Sequence, residues 1–261
     1  MALRERGIAK RVVGIGRRQV SLRIARRVGA VTNTTIDLAK GVADADLVIV
    51  CTPVGRIIDD VKAVAEHCPA GTLITDAGST KQAIVEALDE GLPRDCRFLG
   101  SHPLAGSEKT GATHAEANLF EGRVAIVTPT LNTRAEDFDL IEDLWEALGS
   151  VVIRMPPAEH DEALAVTSHL PHMAAAALAV AVPERYFRLT GSGLLDTTRL
   201  AGGDAELWVQ ILSHNRQHAL TALEMYGKQL AALHTALRDG NQNELQSLLA
   251  KAKKNRDALG S

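Results

Sequence analysis

Aromatic residues make up only 3% of the 261-residue sequence. None interleaves with the arginines near the N-terminus, so the stacking platforms of a single-strand nucleic-acid arm are absent. A formal net charge of −3 gives no whole-molecule case for nucleic acid either. There are three cysteines, Cys51, Cys68 and Cys96, scattered and without a CxxC pair. That excludes a disulfide framework and a zinc ribbon, and makes a reducing cytoplasm the simplest home. No signal-peptide pattern is visible. No uninterrupted apolar run approaches the ~18 residues that cross a membrane. The longest, "LAVTSHLPHMAAAALAVAV", is broken by His169, Pro171 and His172 and reads as a buried helix with a polar entry.

What is present suits a globular protein with a large core: 46% apolar and 23% charged residues. From Met1 to Arg27 the chain is rich in arginine and carries one acid, Glu5. Organellar transit peptides share that bias, but they are Ser-rich and unstructured, and this segment already holds the strand-like "KRVVGIG". Strand-like and helix-like pieces then alternate as far as "SVVIRM". Near-continuous apolar strands between helices predict a parallel sheet covered on both faces. After Met155 the pattern is helical, with one Gly-rich interruption at "LTGSGLLDTTRLAGGD". The expected organisation is a Rossmann-like α/β domain over 1–155 and an all-helical domain over 156–261, with no internal repeat.

Four stretches are too polar or too Gly-rich to be plain connectors. "CTPV" (Cys51–Val54) ends a strand, where open parallel sheets bind ligands. Taken alone, an ordinary strand-ending proline is the stronger explanation. "TDAGSTK" (Thr75–Lys81) also ends a strand and opens a helix, so Ser79 or Thr80 can cap that helix or Ser79 can bind substrate. "GSHPLAGSEKTG" (Gly100–Gly111) places His102 before a proline in a rigid polar loop. The last stretch is split. "SHLPH" carries His169 and His172, three residues apart, and "DTTRLAGGDAELW" carries Asp196, Arg199 and Trp208. A metal is not expected at the histidine pair, because no acid or cysteine stands beside it at ligand spacing. Arg199 in a Gly-bounded loop suits a carboxylate clamp; a surface ion pair with Asp196 is the plainer reading.

"GSHPLAGSEKTG", "SHLPH" and "DTTRLA…LW", in that order, resemble the prephenate dehydrogenase family, which includes arogenate and cyclohexadienyl dehydrogenases. "CTPV" and "DAGSTK" fit the same pattern, and the resemblance spans essentially the whole chain. It implies a dinucleotide-binding domain followed by a helical domain that builds a homodimer. It implies oxidative decarboxylation of prephenate or L-arogenate to 4-hydroxyphenylpyruvate or L-tyrosine, with NADP or NAD as cofactor, and neither nucleic acid nor membrane as partner. By match to the family loops, His102 is the expected base and Ser79 holds the same substrate hydroxyl. Arg199 grips a substrate carboxylate, Ser107 and Glu108 line the pocket, Trp208 packs beside it, and His169 and His172 line the cleft. Thr52, Pro53 and Val54 form a cofactor wall.

The sequence departs from the family at its front. "MALRERG" reads as the end of the first helix, so the first strand and its GxGxxG turn are missing. "VVGIGRR" then falls on the second strand, where an acid normally binds the cofactor ribose. Gly16 stands at the acid's place and Arg17 and Arg18 follow, which predicts NADP over NAD. A competing reading keeps "VVGIGRR" as the first strand with Asp37 as the ribose acid, but Gln19 replaces the third glycine and "AVTNTTID" makes a poor second strand. The missing strand leaves two alternatives to a competent enzyme: a chain whose true start lies upstream, or a paralogue that binds substrate or dimerises without turnover.

Overall fold

In the computed structural model, which describes residues 1–106 and 111–260, the chain enters through a short helix, α1 (Ala2–Glu5), with Ala2 buried against the sheet. Then follow β1 (Val13–Ile15), α2 (Gln19–Arg27), β2 (Asn33–Thr35), α3 (Leu38–Val42), β3 (Leu47–Val50), α4 (Ile57–Ala65), β4 (Leu73–Asp76) and α5 (Gln82–Leu88). β5 (Arg97–Pro103), β6 (Val124–Thr128), α6 (Ala135–Ala147) and β7 (Val151–Arg154) complete the α/β part. α2 stops where the arginine-rich helix runs into Gly29, whose φ of +78° is left-handed.

The strands form two sheets. β1 and β2 pair in parallel, and β3-β4-β5-β6-β7 form a second, five-stranded sheet. In a doubly wound sheet of order 3-2-1-4-5, the first strand lies between the second and the fourth. The break between β1 and β3 falls at that place. A first-strand reading of β1 would separate β3 from β4, yet those two are hydrogen-bonded neighbours. The strand order therefore puts "VVGIGRR" in second position. Asp37 is occupied as the N-cap of α3, accepting from the Lys40 N–H at 3.2 Å. The polar "NTT" of "AVTNTTID" does form β2. It is short, half-exposed and paired on one side only, so it carries almost no apolar signal.

Parallel pairing holds within β1–β2 and β3–β4–β5, but β6 runs antiparallel to β5. Among the described residues between Pro103 and Val124 there is one turn of 3-10 helix, Ala112–His114, and no α-helix. Without a helical crossover the chain doubles back. His102 consequently lies inside β5, paired with Ile126, rather than in the loop beyond it.

Two apolar layers cover the larger sheet. Ile57, Val61, Ile74 and Ile84 pack under α4 and α5; Leu99, Val127, Ile141 and Trp145 pack under α6 and α1. The pleat directs Leu99 and Ser101 to one face and Gly100 and His102 to the other. Gly100 is pressed from that second face. A Cβ there would meet Thr128 Oγ1 at 2.6 Å and Val85 Cγ2 at 3.0 Å.

Beyond β7 the chain is helical. α7 (Pro157–Leu164) passes through a five-residue π-helical turn, Ala165–His169, into α8 (Leu170–Ala181). α9 (Ser192–Thr198), a 3-10 turn (Arg199–Gly202), α10 (Ala205–His214), α11 (Arg216–Arg238) and α12 (Gln242–Ala258) follow. By length and composition, the continuous helix Pro157–Ala181 is apolar enough to cross a membrane. It buries His160, Asp161, His169 and His172, whereas Leu178 and Val180 near its end are exposed. The expected buried helix is thus buried at its polar end and open at its alanine-rich end.

Gly100→Ala is expected to destabilise the chain by roughly 1–3 kcal/mol, because neither neighbour can retreat from a tight sheet–helix contact. Urea unfolding checks this; an unchanged midpoint contradicts it.

Candidate active site

The C-terminal ends of β4 and β5 are tied together by Asp76. It takes the Ser101 N–H on Oδ1 at 3.1 Å and the Gly78 N–H on Oδ2 at 2.8 Å. The ammonium of Lys81, fully buried, also bonds to Asp76 Oδ2. Burial pushes the Lys81 pKa down, against the pull of Asp76 and Asp161. Ser79 sits half-buried on the turn between Asp76 and Lys81. Neither Ser79 nor Thr80 caps α5, and the buried Thr80 hydroxyl has no partner among the described residues.

The cap comes from 80 positions along the chain. Asp161 on α7 accepts the Lys81 N–H on Oδ1 at 2.7 Å and the Gln82 N–H on Oδ2 at 3.0 Å. His160 Nδ1 bonds to the same Oδ1 at 2.8 Å, and His160 Nε2 lies 2.9 Å from His102 Nδ1. With both carboxylate oxygens accepting, His160 must donate from Nδ1. A neutral His160 then presents a bare Nε2, which His102 fills by donating from its own Nδ1. The lone pair of His102 is left on Nε2, the tautomer a general base needs.

A second cluster continues from the first. Asn215 Nδ2 donates to the Asp161 carbonyl at 2.7 Å and to His169 Nδ1 at 3.2 Å. The π turn carries His169 inward until it is almost fully buried, a distortion frequent at functional sites. His169 meets Trp208 edge-on at 6.1 Å, and His172 stacks on the same indole at 3.6 Å. Gly203 closes over this pair. A Cβ there would lie 2.7 Å from Trp208 Nε1 and 3.2 Å from His172 Cε1. The Arg199–Gly202 turn packs against α8, which sets it beside the cluster. Arg199 is exposed, and among the described residues it has no ion-pair partner, Asp196 included.

The structure thus joins His102, His169, His172 and Trp208 in one continuous set, with Ser79 on the neighbouring turn and Arg199 on the turn facing it. Val54 does not belong there. It is buried in the core with Ile57 and Ile211, leaving Thr52 and Pro53 exposed at the end of β3. Gly16 is half-exposed and Arg17 and Arg18 are exposed just beyond β1. Ser107 and Glu108 lie outside the described residues. His160, Asp161, Lys81 and Asn215 are additions that sequence reasoning missed. A signal existed for two of them: His160 and Asp161 precede Leu164 and Ala165 by four residues, on the stripe that α7 buries.

Burial dominates the protonation of these rings. It pushes His169 down to about 4 and His102 well below the ordinary imidazole range, where the nearby His160, Lys81 and His169 push it further. A histidine whose folded pKa is depressed takes up protons preferentially when unfolded, so its contribution is complete above about pH 6.5 and is lost as pH falls toward the folded value. The thermal midpoint is expected to fall between pH 7 and pH 5, and to fall less in His169→Gln. Equal pH dependence in the two proteins contradicts this.

Two family models divide the chain. "Prephenate dehydrogenase, nucleotide-binding domain" matches residues 1–154, and "Prephenate dehydrogenase, dimerization domain" matches residues 156–251. The cyclohexadienyl dehydrogenase of Zymomonas mobilis is 32% identical over 90% of this chain and 82% of its own length. The prephenate dehydrogenase of Bacillus subtilis is 30% identical over 99% of this chain and 72% of its own. The crystal structure of the Aquifex aeolicus prephenate dehydrogenase, in complex with hydroxyphenyl propionate and NAD+, superposes with a TM-score of 0.91 at 30% identity, covering 99% of this chain and 92% of that one. The chain belongs to the prephenate dehydrogenase family, the NAD(P)-dependent dehydrogenases of prephenate and arogenate.

Proposed function

We propose that this chain oxidises and decarboxylates prephenate or L-arogenate, with His102 as the base. The observation that carries the reading is the position of His102: buried at the junction of sheet and helices, with Nδ1 committed to His160. The substrate carries a ring hydroxyl, a ring carboxylate and a side-chain carboxylate. His102 Nε2 takes the hydroxyl proton as carbonyl character grows, and Ser79 holds the same oxygen. Arg199 grips the side-chain carboxylate through its planar fork, giving position as well as charge. Trp208, His169 and His172 wall the ring side, and the buried site excludes water. Loss of carbon dioxide and aromatisation then make the conversion irreversible.

NAD(P), when bound, supplies the acceptor for the hydride that leaves the hydroxyl-bearing carbon. The residues present fit one end of it. Arg17 and Arg18 are exposed guanidinium donors with no ion-pair partner among the described residues, and no acid stands at Gly16. That donor set favours a 2′-phosphate, with Thr52 and Pro53 as a wall. The sequence offers no GxGxxG cradle for the pyrophosphate. Exposed Leu189, Leu195, Leu207, Val209 and Leu220 on the helical part support a homodimer, and a cytoplasmic enzyme fits the free cysteines.

Two measurements test this. His102→Asn is expected to lower kcat by about 10²–10⁴-fold with little change in KM; near-normal turnover refutes the base. Calorimetric titration is expected to show NADP binding more tightly than NAD, and equal or tighter NAD binding refutes the 2′-phosphate assignment.

A further inference from the structure

His102 is the end of a buried line of three groups. Its Nδ1 is 2.9 Å from His160 Nε2, and His160 Nδ1 is 2.8 Å from Asp161 Oδ1. All three are buried. We propose that His160 and Asp161 are a proton relay behind the base: as His102 Nε2 takes the substrate hydroxyl proton, the His102 Nδ1 proton passes to His160 Nε2, and the positive charge comes to rest beside the Asp161 carboxylate. This rests on the assignment of His102 as the base.

The protons balance. The substrate O–H bond breaks and its electrons stay on oxygen, while an N–H bond forms at His102 Nε2. The His102 Nδ1–H bond breaks and a His160 Nε2–H bond forms. His102 ends neutral with its proton on Nε2, and His160 ends as an imidazolium.

The surroundings decide where the charge settles. His102 is faced by His160 from α7, by the Lys81 ammonium from the turn before α5 and by His169 from the π turn. Each of these disfavours a cation on His102, and burial disfavours it most. His160 is also buried and also faces Lys81, but Asp161 bonds to it directly and Asp76 lies near, and both favour a cation there. One proton is therefore better held on the second ring than on the first. Aspartate at this place serves the charged state of the relay as well as the tautomer of the resting one. His160 and Asp161 act through His102 and are positioning residues.

His160→Gln separates the two roles. Glutamine can accept the His102 Nδ1–H through its side-chain oxygen and so preserve the tautomer, but it cannot hold a proton. Full-length wild type, His160→Gln, Asp161→Asn and His102→Asn are compared for kcat and KM of prephenate oxidation from pH 5 to 10 at saturating dinucleotide, after circular dichroism has shown them folded. In His160→Gln, kcat is expected to fall at least about tenfold with KM nearly unchanged. The acid limb of its kcat/KM profile is expected to move to lower pH, because the base has lost its charge reservoir. Wild-type kcat with an unmoved acid limb overturns the relay. Normal turnover in His102→Asn instead overturns the base assignment, whatever His160→Gln shows. If His160→Gln does not fold, ¹⁵N spectra of the wild-type histidines decide. His160 protonating before His102 on acidification supports the relay, and His102 protonating first overturns it.

Discussion

The carboxylate of Asp161 is where the sheet and the helical part of the chain meet. Four groups converge on that residue: the Lys81 and Gln82 N–H groups at the start of α5, the ring of His160 and, at its carbonyl, the side chain of Asn215. A buried carboxylate without such donors would be strongly unfavourable; with both oxygens used, and with the positive end of α5 against it, the cost is offset. The same bonds do three jobs. They finish α5, dock α7 onto the sheet, and fix the ring that fixes His102. Domain docking and readiness of the base are therefore not separable properties here.

Around that carboxylate the chain has assembled an unusually polar interior. Lys81 and Asp76 pair with no exposure, and His102, His160, His169 and Asn215 are nearly as buried. Broken singly, such a network leaves an uncompensated charge in a medium of low dielectric, which costs far more than the intact pair contributes. That asymmetry makes the arrangement rigid. It also separates two kinds of position. Asp76 and Asp161 hold backbone groups in place, and Lys81 neutralises Asp76. His102 lies on that frame, with Ser79 on the neighbouring turn and Arg199 on the 3-10 turn beside His172.

The parts of this picture that sequence disclosed are those with a local pattern. Apolar strands between amphipathic helices announced the α/β half, and the "GSHPLAG", "SHLPH" and "DTTRLA" segments pointed to the candidate site. The displaced second strand was also legible, because Gln19 stands where a dinucleotide turn has its third glycine and "MALRERG" already reads as the end of a helix. What escaped depends on distant partners. Nothing near Ser79 or Thr80 indicates that Asp161 caps α5 in their stead. "NTT" became β2 only because β1 lies beside it, and Val54 turned to the core because Ile211 from α10 packs there. The reversal of β6 goes with a connection that has no α-helix among its described residues, a feature that strand-by-strand reading passes over.

Everything else in the site depends on Asp161 joining α5 to the histidine pair. Amide hydrogen exchange in the wild type and in Asp161→Ala reads that directly. The Lys81 and Gln82 amides, protected in the wild type, are expected to lose protection in the variant, and the helix bearing His160 to exchange faster with them. Unchanged protection at both amides would contradict it.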